Sequence, residues 1–161
     1  MRARIVPATA DHARALAANA RPEDVREFKA VSGSDPLPVM LRGIDSSVEP
    51  LVALHDGEPV CMFGAAPWSI LGGIGAAWMV GSQALDRRRV QADLLRLSPL
   101  VVDYLQDQFP ALLYNFVDQR NTSAIRWLRW LGFQFGEEPI IYGIERRPFL
   151  FFYRKRAPAH V

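Results

Sequence analysis

The sequence has 161 residues, 50% of them apolar and 22% charged, which excludes wholesale disorder and fits one domain that buries about two-thirds of its unfolded surface. Its net charge of +2 and pI near 9.0 come from arginines almost matched by acids, so charge gives no footing for specific nucleic-acid binding. With no apolar run of membrane length, no signal-peptide core in MRARIVPATADHARAL and a single cysteine, Cys61, the chain reads as a soluble domain of a reducing compartment, the cytoplasm.

Residues 3–7 predict a short first strand. Thr9 suits an N-cap, with Asp11 in the first turn, for a helix to residue 20 that buries Ala13, Leu16 and Ala17. Arg21-Pro22 breaks it. Pro22-Glu23-Asp24 then starts a second helix to residue 31, with Pro at the first position and acids against the positive end of the dipole. A loop over 32–36 leads to a short helical segment over 38–43. Strands over 48–55 and 59–66 flank an Asp56-Gly57 hairpin turn, and Pro67-Trp68 ends the second of them. After a flexible connection over 70–73 comes a fourth strand, 74–81 (IGAAWMVG), whose Gly75, Ala76 and Ala77 allow a backbone or a ligand to come close. The run 84–97 is ambiguous, basic at first and then amphipathic. Ser98-Pro99 predicts a helix start, with Ser as N-cap, running to residue 108 and burying Leu100, Val101, Tyr104 and Leu105.

The stretch LLYNFVDQRNTSAIRWLRWLGFQF, 112–135, is the most informative. Leu112, Leu113, Tyr114, Phe116 and Val117 form an apolar strand, and Asp118 or Asn121 is placed to cap the helix that follows. Ala124, Trp127, Leu128 and Leu131 share a helical face widened by Ile125 and Trp130, while Thr122, Arg126 and Arg129 line the polar stripe opposite. Gly132 stops the helix where a left-handed residue is needed, and Phe133 folds back on the last turn. Strands over 139–144 and 149–153 (FLFFY) complete a single domain over 1–153, with a basic, poorly ordered tail over 154–161.

The spacing of Val117, Asn121, Ala124, Gly132 and Phe133 resembles the second half of the GNAT N-acetyltransferase fold. The fuller wording NFVDQRNTSAIRWLRWLGF is similar to a phage-encoded family of internal virion proteins A and acetyltransferase-like proteins, and the likeness extends loosely over 48–151. The resemblance implies an α/β domain, a mixed central sheet of about six to seven strands flanked by about four helices, splayed between its fourth and fifth strands. In that family acetyl-CoA sits in the splay. The resemblance further implies a phage or prophage source, the cytoplasm of a bacterial host, and a place in virion assembly.

Three features of the family carry its chemistry. One is a glycine-rich segment, Gln/Arg-x-x-Gly-x-Gly/Ala, whose amides hold the pyrophosphate at a helix N-terminus. Here Arg96-Leu97-Ser98-Pro99 stands at the expected helix start without a glycine, and Arg87, Arg88, Arg89 and Arg96 offer charge in its place. The second is a tyrosine seven residues after the asparagine that protonates the departing thiolate; this chain has Leu128 there. The third is a general base, and the fourth strand has no acid. Asn121 and Arg96 are the residues expected to touch the cofactor, with Ser98 at the helix start and main-chain groups of Met79, Val80 and Gly81 along pantetheine.

Two functions follow. One is a GNAT-fold protein with a degenerate site that serves virion assembly or binding. The other is an acetyl-CoA-dependent N-acetyltransferase acting on a protein or small-molecule amine. His12, His55 and His160 are scattered, so no metal site is expected, and Cys61 reads as a small core residue. A strand apolar on both faces is either central in the sheet or covered by another chain, and as the last strand this one is expected near an edge, covered by a protein partner or a second copy.

Overall fold

The computed structural model describes residues 3–157, so part of the expected tail, and His160, lie outside the described residues. Within them the chain runs β1 (Ala3–Pro7), α1 (Ala10–Ala18), α2 (Pro22–Ser32), α3 (Pro36–Ser46), β2 (Leu51–His55), β3 (Glu58–Ser69), β4 (Ile74–Gly81), α4 (Arg88–Gln108), β5 (Leu112–Asp118), α5 (Thr122–Trp130), β6 (Gln134–Phe135), β7 (Ile140–Tyr142) and β8 (Arg147–Arg154). These make the expected α/β architecture, with one sheet of eight strands and five helices among the described residues.

The early elements form for the reasons their residues give. Thr9 caps α1 in a reciprocal box with His12, and Gly33 ends α2 in the left-handed conformation at φ +68°. Asp56 and Gly57, at φ +50° and +84°, make the primed turn that suits the twist of β2 and β3. Pro67 and Trp68 do not end β3, which continues to Ser69 past a register shift near Pro67 that absorbs the missing N–H.

Helix α4 departs from expectation. It is continuous across Ser98 and Pro99, and the ambiguous run from Arg88 onward is its first half. Ser98 is no N-cap. It is buried, and its hydroxyl donates back to the Leu94 carbonyl, while Pro99 sits on the solvent side where its ring meets water. Leu100 is exposed rather than buried. Pro99 leaves one carbonyl of the preceding turn without its helical donor, so Pro99→Ala is expected to stabilise the protein by about 1–3 kcal/mol, read as a higher Tm.

The sheet order is β1-β2-β3-β4-β5-β8-β6, with β7 also on β8. β8 is therefore interior, between β5 and the short strands β6 and β7, and not at the edge. Its two apolar faces are covered within the chain: Phe149 and Phe152 are buried, and Phe151 rests between Phe116 and Tyr153. α1 and α3 cover one face of the sheet with Ala13, Leu16, Met40, Val52 and Val80. α4 and α5 cover the other with Val102, Leu105, Ile125 and Leu131 against Leu113 and Val117. Gly132, at φ +89°, ends α5 and turns the buried Phe133 onto Phe152, 5.3 Å between ring centres.

Candidate functional site

β4 and β5 are parallel partners for three residues only, Ile74–Ala76 against Leu112–Tyr114. Asn115 then stands where the next pairing would be. Its Nδ2 donates to the Ala77 carbonyl at 2.8 Å and its Oδ1 accepts from the Phe116 amide at 2.8 Å, so one side chain closes the fork of the two strands. Past this point they part around a cavity of about 450 Å³. Met79, Leu94, Val101, Trp127 and Leu128 line it on the α4–α5 side, and Glu27, Phe28, Trp78, Phe116 and Tyr142 on the α2–α3 side. The opening thus passes through the sheet.

Strand alternation turns the main-chain groups of Ala77, Met79 and Gly81 toward the gap. The Ala77 carbonyl is taken by Asn115. Gly81 is taken as well: its N–H donates to Asp24 Oδ2 at 2.9 Å and its carbonyl accepts from the Arg21 amide at 3.0 Å. Met79 is left to present its amide and carbonyl to the cavity.

One turn of α2 spans the gap. Asp24 holds the end of β4 through Gly81, and Glu27 holds the end of β5, its Oε1 accepting from the Asp118 amide at 2.9 Å and its Oε2 from Asn121 Nδ2 at 3.2 Å. Burial raises the pKa of Asp24, against the pull of Arg21, whose guanidinium is 3.8 Å away. Burial likewise raises Glu27, to about 7, although both N–H donors favour its carboxylate. The neighbouring cations are committed elsewhere, Arg21 to Glu23 and Asp24, and Arg120 to Asp118 at 2.7 Å. Burial alone would raise Asp118, but the hydrogen bonds from Arg120 outweigh it and hold that carboxyl below the usual range.

The residues expected at the site divide evenly. Met79, Ser98 and Asn121 line the cavity. Val80 is paired with Met62 of β3 and its side chain packs in the core with α1 and α3, Gly81 is bound to α2, and Arg96 lies on the exposed side of α4, 3.3 Å from Asp93. Neither Asp118 nor Asn121 caps α5 by accepting a helical N–H. Asp118 accepts from the Arg120 amide and guanidinium, and Asn121, buried, turns its amide to Glu27. The N-terminus of α4 is at Arg88, not Ser98. No side chain caps it, and Arg87, Arg88, Arg89 and Val90 border a second hollow of about 340 Å³ together with His55, Asp56 and Glu58 of the β2–β3 hairpin, Arg87 being paired with Glu58 at 3.1 Å.

Sequence reasoning missed Asp24 and Glu27. Their signal was present: at a spacing of three they share the face of α2 that carries Phe28 and Val31, and acids on an apolar helical face are acids inside the protein. It set a donor aside too, by reading Trp127 as part of a buried helical face. Trp127 lines the cavity, and its buried indole N–H has no hydrogen-bond partner among the described residues.

No protein-family model matches the sequence, and no curated protein matches it. Solved structures do. YncA from Salmonella typhimurium, solved with its cofactor acetyl-CoA, superposes with a TM-score of 0.70 at 13% identity, covering 100% of this chain and 98% of that one. The ribosomal-protein-alanine N-acetyltransferase from Brucella melitensis gives 0.66 at 16% identity over 94% of this chain and 99% of that one. Spermidine N-acetyltransferase from Vibrio cholerae, in complex with CoA and spermine, gives 0.67 at 8% identity over 95% of each chain. At these identities the likeness is one of architecture, and the architecture of this chain is the GNAT fold.

Proposed function

We propose that this protein transfers an acyl group from acyl-CoA to an amine. The observation that carries this reading is the opening through the sheet between β4 and β5, which gives one reactant access from the α4–α5 side and a second from the α2–α3 side. Such a passage suits a direct transfer, in which the two substrates meet at the gap and the protein supplies position rather than a covalent intermediate. Two of the structural neighbours are solved with acetyl-CoA or CoA, which supports the same donor.

In this reading acyl-CoA lies on the α4–α5 side. The uncapped first turn of α4, with Arg88 and Arg89 beside it, attracts the pyrophosphate by free amides and charge. Pantetheine runs along the parted edge of β4, and the Met79 N–H is the donor available to polarise a thioester carbonyl there. The orphaned Trp127 N–H is satisfied by an acceptor on the same substrate. Trp127→Phe is therefore expected to weaken acetyl-CoA binding by about fivefold, the loss of one hydrogen bond, while global stability stays within about 1 kcal/mol. Equal affinity in a titration of the two proteins contradicts the assignment. For the function itself, the test is a thermal shift. Acetyl-CoA at about 100 times its Kd is expected to add about 2.7 kcal/mol to the unfolding free energy, and an unmoved Tm at millimolar ligand overturns the reading.

Leu128 in the tyrosine position and the absence of glycine from 82 to 108 favour a second reading, a noncatalytic binding protein such as a virion assembly factor. With β8 interior, its partner would dock on β7, where Ile140 and Ile141 are exposed. This reading expects neither acetyl-CoA binding nor turnover.

A further inference from the structure

We infer that Glu27 receives the acceptor, binding its ammonium group from the α2–α3 side of the cavity and taking the proton that must leave before the nitrogen can attack. The inference rests on the acyltransferase reading and adds to it the residue and the kind of acceptor, a primary amine on an apolar or aromatic stem.

Four observations converge on Glu27. It lines the passage through the sheet on the side away from α4 and α5. Each of its oxygens accepts a single N–H, from Asp118 and from Asn121, so the carboxylate is held in a fixed pose with lone pairs to spare on both oxygens. No cation forms an ion pair with it among the described residues: Arg21 and Arg120 are paired with other acids, and Arg42, which also lines the cavity, donates to the Ser34 hydroxyl. Phe28, Phe116 and Tyr142 border the same side of the cavity, with Phe116 and Tyr142 stacked at 5.1 Å. A half-buried carboxylate without an ion-paired cation, next to aromatic faces, is matched by an alkylammonium ion. The charged groups around it are Arg21 and Asp24 at the start of its own helix, Arg42 on α3, Asp118 on β5 and Arg120 beyond it.

The protons balance. The ammonium R–NH3+ gives one proton to the Glu27 carboxylate. The free amine forms the C–N bond at the thioester carbon, and the C–S bond breaks. The nitrogen loses a second proton, which ends on the departing sulfur to give the thiol, and Glu27 passes its own proton to water as the amide leaves. A carboxyl that titrates near neutrality is suited to both halves of this exchange.

The test uses the full chain with acetyl-CoA, and n-butylamine and tyramine as acceptor probes, following release of the CoA thiol. The wild type is expected to turn over at least one probe, with kcat/KM rising along an acid limb near pH 7. Glu27→Gln is expected to lower kcat/KM by about 10²-fold or more and to remove that limb, while acetyl-CoA affinity stays within about twofold. Glu27→Asp, which keeps the charge, is expected to recover part of the rate. Wild type that binds acetyl-CoA but turns over neither probe overturns the acceptor assignment alone. A Glu27→Gln enzyme with an unchanged limb, or one whose acetyl-CoA affinity falls in step with its rate, overturns it too, because either result marks Glu27 as a strut for β5. Wild type that does not bind acetyl-CoA overturns the acyltransferase reading along with it.

Discussion

Gly143→Ala is expected to destabilise the protein by about 3 kcal/mol or more, one of the largest losses available from a single added methyl. Gly143 has φ +78°, so an alanine there is strained before any contact is considered. The added Cβ would also run into the Ala30 carbonyl oxygen and come within 2.8 Å of Val31 Cα, both backbone of α2 that cannot swing aside. The turn after β7 lies this close because it completes the end of α2: the Ile144 amide donates to the Val31 carbonyl and the Glu145 amide to the Ala30 carbonyl, each at 3.1 Å. Those carbonyls belong to the last turn of a helix and have no donors of their own. The substitution should therefore lower Tm and shift α2, the helix that carries Asp24 and Glu27. Urea unfolding measures the first effect. An unchanged midpoint would show that the turn is not seated on α2.

The second large effect is on the pH dependence of stability. Burial raises the folded-state pKa of Glu27 from 4.5 to about 7, with Asp24 and Asp118 adding to the rise. The folded protein thus holds this proton more tightly than the unfolded chain. Whatever stability the protonated side chain supports is fully present below pH 4.5 and is lost as pH rises through 7. The span corresponds to a loss on the order of 3 kcal/mol, at 1.36 kcal/mol for each pH unit. Glu27→Gln mimics the neutral acid and escapes that loss. Its Tm relative to the wild type should climb between pH 5 and pH 8 by roughly 6–12 °C for a chain of this size. Parallel Tm profiles for the two proteins would contradict the raised pKa. A Glu27→Gln protein that is stabilised yet inactive would separate a catalytic role for the carboxylate from a structural one.

The elements read from the sequence reflect how local their causes are. Thr9, the Asp56-Gly57 turn, β4 and the Gly132 stop depend on neighbours within a few residues, and each forms as its residues predict. Ser98-Pro99 misled because Ser and Pro start helices when nothing upstream is helical. Here Arg88 has already nucleated α4, the Ser98 hydroxyl turns back to Leu94, and the packing of Val90, Val102 and Leu105 carries the helix across the proline. The position of β8 escaped for a different reason. A strand apolar on both faces is read correctly as covered, but only the chain reversal through β6 and β7 supplies the cover from within. The site divides along the same line. Asn121 was singled out by the spacing that resembles GNAT proteins and Met79 by its place on the fourth strand, and both line the cavity. The two acids of α2 act across nearly a hundred residues, Glu27 on Asp118 and Asn121, and no local pattern names such a partner.

The most direct measurement is an isothermal titration of acetyl-CoA and of free CoA into the purified protein. An open passage between β4 and β5 predicts one site per chain with micromolar affinity, about −8 kcal/mol, for acetyl-CoA. The absence of heat with either ligand at millimolar concentration would contradict the claim that this passage is an acyl-CoA site.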